Sequence, residues 1–207
     1  MMEIYNITIG RQPGSGGGEI GKKLADLLGI AFYDKELIRI ASRESGLQEE
    51  FFEKADEKKR LSIFGSFHGI NTPSADNGFT NYYLSNETLF KIQSDVIRKL
   101  AQKQSSLFMG RCADYVLKDN SNCLNLFITA DLSDRVRRVS EIHGLNEAKA
   151  KEFIEKTDKI RSDYYGYFSG KTWGSAESYH MCINSSVLGI DETVDFVFLL
   201  VKKRFGL

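Results

Sequence analysis

Cysteine is scarce in this chain, and histidine forms no useful pattern. The three cysteines, Cys112, Cys123 and Cys182, are widely spaced and odd in number, with no C-x-x-C pair. That argues against a disulfide scaffold and reads as reduced, mostly buried thiols in a cytoplasmic protein. The three histidines, His68, His143 and His180, stand alone. Zinc sites need closely spaced ligands, so no metal site is assigned. Net charge is also missing: 28 Lys and Arg balance 28 Asp and Glu. A neutral chain lacks the long-range field that draws a protein to a nucleic-acid polymer or an anionic membrane. It can still gather several arginines in one cleft. The longest apolar run, Phe196 to Val201, falls far short of the roughly 20 residues of a membrane span. The segment MMEIYNITIG has neither the basic region nor the apolar core of a signal peptide. No internal repeat is visible.

What remains is ordinary globular composition, 42% apolar and 27% charged over 207 residues, enough for one good-sized domain or a domain with a small lobe. Five segments read as strands: 3–9, 30–33, 106–109, 123–129 and 180–184. Helices are expected at 18–28, 35–60 with a break at Gly46, 83–104, 111–118, 131–142, 146–165 with Asn146 as cap, and 190–205. Two stretches lack a period and read as loops, 62–81 and 167–179. Strands alternating with helices imply βαβ units and a parallel sheet, which binds ligands beyond the carboxyl ends of its strands. That edge carries Asp34, Gly110-Arg111, Thr129-Ala130-Asp131 and Asn184-Ser185.

It also carries the stretch GRQPGSGGGEIG, residues 10–21, between the first strand and the first helix. A glycine-rich turn at a helix start aims several backbone N–H groups at one place, where the helix dipole favours an anion. Gly14, Ser15, Gly16, Gly17 and Gly18 are positioned to donate. The lysine of nucleotide-binding loops is absent: aligned on the tight turn, Gly17 takes its place and Glu19 that of the magnesium-binding hydroxyl. The literal pattern G-x-x-x-x-G-K at Gly16–Lys22 puts its lysine a turn inside the helix. Arg11, Lys22 and Lys171 are the candidates to replace the missing charge. Glu19 is either a ligand of Mg2+ or a first-turn helix acid on the surface.

The run ITIGRQPGSGGGEIGKKLADLLGIAFYDKELI resembles the start of the cytidylate-kinase-like proteins, in which a loop of the type SREYGSGG replaces the lysine-bearing one. MGRCADYVL, LFITADLSDRVRRV, TDKIR and CINSSVLGIDETVDFV are similar to further segments of bacterial cytidylate kinase, in the same order. The likeness is weakest between about 47 and 100.

The resemblance implies an α/β fold of the P-loop NTPase and nucleoside monophosphate kinase type. It implies one kinase-like domain, a five-stranded parallel sheet flanked by helices. The core is about 1–34, 105–145 and 180–207, the helical acceptor-binding lobe about 35–104, and the lid about 146–179. It further implies transfer of the ATP γ-phosphoryl group, with Mg2+, to CMP, dCMP or a related small phosphate acceptor. Residues Gly14 to Gly18 with Glu19, Arg135 and Arg138 then meet the donor nucleotide. Asp34, Arg111, Asp158 and Arg161 meet the acceptor, and Arg11, Arg111 and Arg161 assist the transfer. Bland readings stand beside these. Asp34 also fits a helix cap, Arg135 and Arg138 a solvated face, Asp158 and Arg161 a helical ion pair, and Trp173 and Tyr165 packing.

Departures from the pattern fall on the working positions. Cys112 stands where the kinase has aspartate, Lys35-Glu36-Leu37 where it has Thr-Gly-Ala, and the loop around Lys171 and Trp173 is extra. A nucleotide-binding protein with lost catalysis, or a kinase for a non-nucleotide acceptor, therefore remains open, as does a homodimer.

Overall fold

The computed structural model describes residues 3–34, 36, 37, 40, 43 and 78–207. Most of the helix expected at 35–60 and most of the loop expected at 62–81 lie outside the described residues. The chain divides into two compact units, one of Met1–Asp34 with Arg98–Leu207, the other Lys35–Ile97.

In the first unit, β1 (Asn6–Arg11), β2 (Ala31–Tyr33), β3 (Ser106–Met109), β4 (Cys123–Thr129) and β5 (Met181–Asn184) form one sheet in the order β2-β3-β1-β4-β5. Every neighbouring pair is parallel. The helices are α1 (Gly17–Leu28), α2 (Gly78–Lys103), α3 (Ala113–Val116), α4 (Leu132–His143), α5 (Glu147–Ser169), α6 (Ser185–Leu188) and α7 (Ile190–Phe205).

Alternation along the strands sorts side chains to two faces. Ile7, Ile9, Leu107, Met109, Leu124, Leu126 and Ile128 point to one face and pack with Ile20 and Leu24 of α1 and with Val194, Val197 and Val201 of α7. Each fully buried side chain of this kind contributes about 2 kcal/mol. The other face is more polar. Asn6 donates from its amide to the Ala101 carbonyl at 3.1 Å, and the Thr8 hydroxyl donates to Asn125 Oδ1 at 2.8 Å. Phe127 lies on that same face. Its ring meets Trp173 edge-on at 5.1 Å and Tyr179 at 5.0 Å.

Strand β1 occupies 6–11 rather than the expected 3–9. The reason lies in β4, which supplies pairing partners beyond Ile9: Gly10 sits opposite Phe127, Arg11 opposite Ile128, and the Gln12 N–H reaches the Ile128 carbonyl at 3.0 Å. Arg11 is thereby a strand residue, paired on the β4 side beyond the point where the pairing with β3 ends at Ile9. Helix α2 starts at Gly78, inside the stretch expected to be loop. Asn146 caps α5 as its sequence suggests, its side chain accepting from the Lys149 N–H at 2.9 Å. Helix α5 runs unbroken to Ser169, further than the expected 165. The region 146–179, a lid by resemblance, lies within the same compact unit as the sheet.

Candidate functional site

Pairing of β1 with both neighbours puts Arg11, Asp34, Gly110 and Ala130 at one edge, where four strands end. The chain leaves β1 into Gln12-Pro-Gly-Ser-Gly16 and enters α1. Gly14 has φ 75, and a Cβ on it would lie 2.5 Å from the Arg135 carbonyl oxygen, so only glycine fits both the conformation and the gap. Ser15 is fully buried. Its hydroxyl donates to the Gln12 carbonyl at 2.8 Å, and its own carbonyl accepts from Ser185 Oγ at 2.6 Å. Gly16 caps α1 with no side-chain hydrogen bond of its own, and of the first-turn amides that of Gly17 donates to Ser15 Oγ at 3.3 Å. Gly18 opens on that turn, with nothing within 4 Å of a Cβ placed there.

The outer side of the loop is held by α4. Arg135, only 6% exposed, donates from Nε to the Pro13 carbonyl at 2.9 Å, and Arg138 donates to the Gly14 carbonyl at 3.1 Å. Both arginines therefore grip loop carbonyls, and neither forms a solvated face. Carbonyl oxygens drawn outward in this way leave the anion cradle to the amides. Arg135 also binds Asp158 of α5 at 2.5 Å.

Three more arginines converge at the strand ends. Arg11 lies at the end of β1 and binds Asp34 at 3.2 Å. Arg161 of α5 donates to the main-chain carbonyl of Arg11 at 2.7 Å. Burial, and then the charge of Arg11, push its guanidinium down to about 9, against the pull of Asp158 and Asp34. Burial likewise lowers Arg11, opposed by Asp34 and reinforced by Arg111. Arg111 is thus within electrostatic reach of both. Asp34 binds Arg11, and the carboxylate of Asp158, which acts on Arg161, is bound by Arg135. Dense, partly buried positive charge of this kind is relieved by an anion.

Arg111 itself sits in a strained backbone. Gly110, Arg111 and Cys112 have consecutive φ values of 68, 58 and 52. Left-handed conformation is disfavoured for non-glycine residues, and such strain clusters at functional sites.

Other expected residues fall elsewhere. Glu19 is about half exposed and binds Lys23 at 2.8 Å, which also binds Asp191 at 2.6 Å. Lys22 pairs with Asp26 on the outside of α1. Lys171 is exposed and acts electrostatically on Asp114. Of the three cations proposed to replace the loop lysine, Arg11 is the one beside the loop. A Cβ on Gly17 would lie 2.7 Å from Arg11 Cβ and 3.3 Å from its Cγ, so the stem of Arg11 fills the space a lysine stem would need.

Sequence reasoning missed the pair formed by Asp114 and Tyr165, whose hydroxyl donates to Asp114 Oδ2 at 2.7 Å. No local signal in the sequence joins them, since 51 residues separate the two. Among the described residues no group of three or more His, Cys, Asp or Glu is placed to hold a metal ion. No described helix is long and apolar enough to cross a membrane.

The fold is similar to that of an uncharacterized protein from Eubacterium ventriosum ATCC 27560, at 27% identity over 97% of this chain and 99% of that one, with a TM-score of 0.70. It is also similar to shikimate kinase from Acinetobacter baumannii in complex with shikimate (14% identity, 97% and 94% coverage, TM-score 0.52). A third likeness is to a gluconokinase from Sinorhizobium meliloti 1021 (12% identity, 100% and 96% coverage, TM-score 0.53). The last two likenesses show the kinase fold alone. No curated protein matches the chain. The model of the cytidylate kinase-like family matches residues 6–187, most of the length, so the chain belongs to the cytidylate kinase-like family.

Proposed function

We propose that the protein is an ATP-dependent phosphotransferase that moves the γ-phosphoryl group to a small phosphate-bearing acceptor, a nucleoside monophosphate such as CMP or dCMP among them. The observation that carries this reading is the convergence of Arg11, Arg111 and Arg161 beside the glycine loop, with one carboxylate, Asp34, among them. Phosphoryl transfer rests on positioning and neutralisation of charge, which this set supplies.

The cradle fits a polyphosphate. Gly16, at the helix start, brings no side-chain cap, and space is open at Gly18. Arg11 does the work of the absent lysine, since its stem occupies that lysine's volume. Arg138 and Arg135 fix the loop from outside. Asp34 orients Arg11 and faces the acceptor. Asp34 and Asp158 are bound to arginine and Glu19 to lysine, so Mg2+ arrives with the nucleotide, held chiefly by phosphate oxygens and water. When bound, it neutralises charge on the transferred group.

A second reading, nucleotide binding without catalysis, is favoured by one observation: Glu19, at the position of the metal-binding hydroxyl, is tied to Lys23. Release of ADP measured against CMP, dCMP, UMP, AMP and non-nucleotide phosphate esters, with thermal shift in parallel, separates the two. Turnover with one acceptor that is abolished in Arg111→Ala supports transfer. Tight binding of ATP with no turnover on any acceptor favours the second reading.

A further inference from the structure

Asp114 is a buried carboxyl with no part in the arginine cluster. It is 7% exposed, in the first turn of the four-residue helix α3. A first-turn acid needs no partner 51 residues away, yet Asp114 accepts from Tyr165 at 2.7 Å. Tyr165 is itself 4% exposed, and its ring stacks on Tyr179 at 5.8 Å.

Two features make this contact more than packing. First, Asp114 directly follows the turn, closed by Ala113 N–H to the Gly110 carbonyl at 3.1 Å, in which Arg111 and Cys112 hold left-handed backbones against their steric preference. Such a turn persists only if its surroundings hold it. Second, Tyr165 lies at i+4 from Arg161, on the same face of α5. Arg161 grips the end of β1 while Tyr165 grips the turn after β3. One face of one helix thereby references two arginines to each other.

We propose that Asp114 and Tyr165 are positioning residues: their hydrogen bond tethers the turn carrying Arg111 to the helix carrying Arg161, so that both guanidinium groups meet one anion. This rests on the reading of the cluster as a phosphate site. The tether needs no nucleotide and stands in the free protein. Loosening it moves Arg111 without removing it.

The test uses the full chain, inorganic tripolyphosphate as probe, and the variants Tyr165→Phe and Asp114→Asn. Phenylalanine keeps the ring against Tyr179 and deletes the hydroxyl, which donates to Asp114 and is also bonded by the side chains of Tyr179 and Ser178. Asparagine keeps an acceptor oxygen for Tyr165. In Tyr165→Phe, amides of 110–116 exchange with solvent at least roughly tenfold faster while those of β1 and β4 are unchanged. Tripolyphosphate binds about fivefold more weakly. Asp114→Asn stays close to the parent in both. A role in packing alone lowers the unfolding temperature and leaves affinity alone. The tether is overturned if the parent binds tripolyphosphate and Tyr165→Phe binds it equally well, or if exchange at 110–116 does not change. Failure of the parent itself to bind tripolyphosphate overturns the phosphate-site reading, and the purpose assigned to the tether with it.

Discussion

A side chain at position 17 and the stem of Arg11 exclude one another, since a Cβ on Gly17 would stand 2.7 Å from Arg11 Cβ. The loop therefore does not lack a lysine by simple loss. Its place is filled from the neighbouring strand. Gly17→Ala should lower stability by about 2 kcal/mol through overpacking. In the double variant with Arg11→Gly, which removes the clashing Cβ, the loss should be smaller than the sum by about 1 kcal/mol. Chemical denaturation of the four proteins in the cycle measures this, and strict additivity would place Arg11 away from the loop.

Arg11→Ala and Arg111→Ala should each reduce turnover by roughly a hundredfold to a thousandfold, the range for removing one donor from a site of developing charge. Lysine at 11 should recover only part, because it lacks the planar fork that holds Asp34. Steady-state kinetics decide, and an Arg11→Ala protein with unaltered kcat would return the lysine's role to another group.

Glu19→Gln should leave the Mg2+ dependence of activity within about twofold, because the carboxylate is engaged by Lys23. A titration of rate against Mg2+ shows it. A large rightward shift would put Glu19 on the ion.

Anion affinity should fall as pH rises through about 9. Burial and the charge of Arg11 depress the Arg161 guanidinium to that value in the free protein. A bound anion stabilises the charged form and raises it again, so affinity is complete below the free-state value and declines above it. Calorimetry at pH 9.5 in buffers of different ionisation enthalpy should show uptake of up to about one proton on binding sulfate, which does not itself titrate in this range, and none at pH 7. Equal affinity at both pH values would show that Arg161 does not face the anion.

The parallel sheet was legible because Ile7-Thr8-Ile9 and Leu124 to Thr129 alternate in a manner only a strand can use. The glycine loop was legible for the same reason, lying between a strand and a helix. Arg135 was not. On a helix, arginine reads as solvent-facing, and only the tertiary approach of Pro13 and Gly14 turns it inward. Tyr165 and Asp114 were invisible as a pair because 51 residues separate them, and neither residue type signals a partner at that range. The role of Arg11 was open among three cations. Pairing to β4, which extends β1 by two residues, sets the position of Arg11 beside the loop and is not visible in the sequence.

Arginine at 111 works against heat resistance. Its φ of 58 suits glycine, and replacing it with glycine should relax the backbone by about 1 kcal/mol while deleting the guanidinium. Selection for thermal endurance alone, with no demand for phosphate capture, should drift toward glycine at this codon. A protein that grows sturdier as it goes blind to its ligand would mark residue 111 as kept for work rather than for folding.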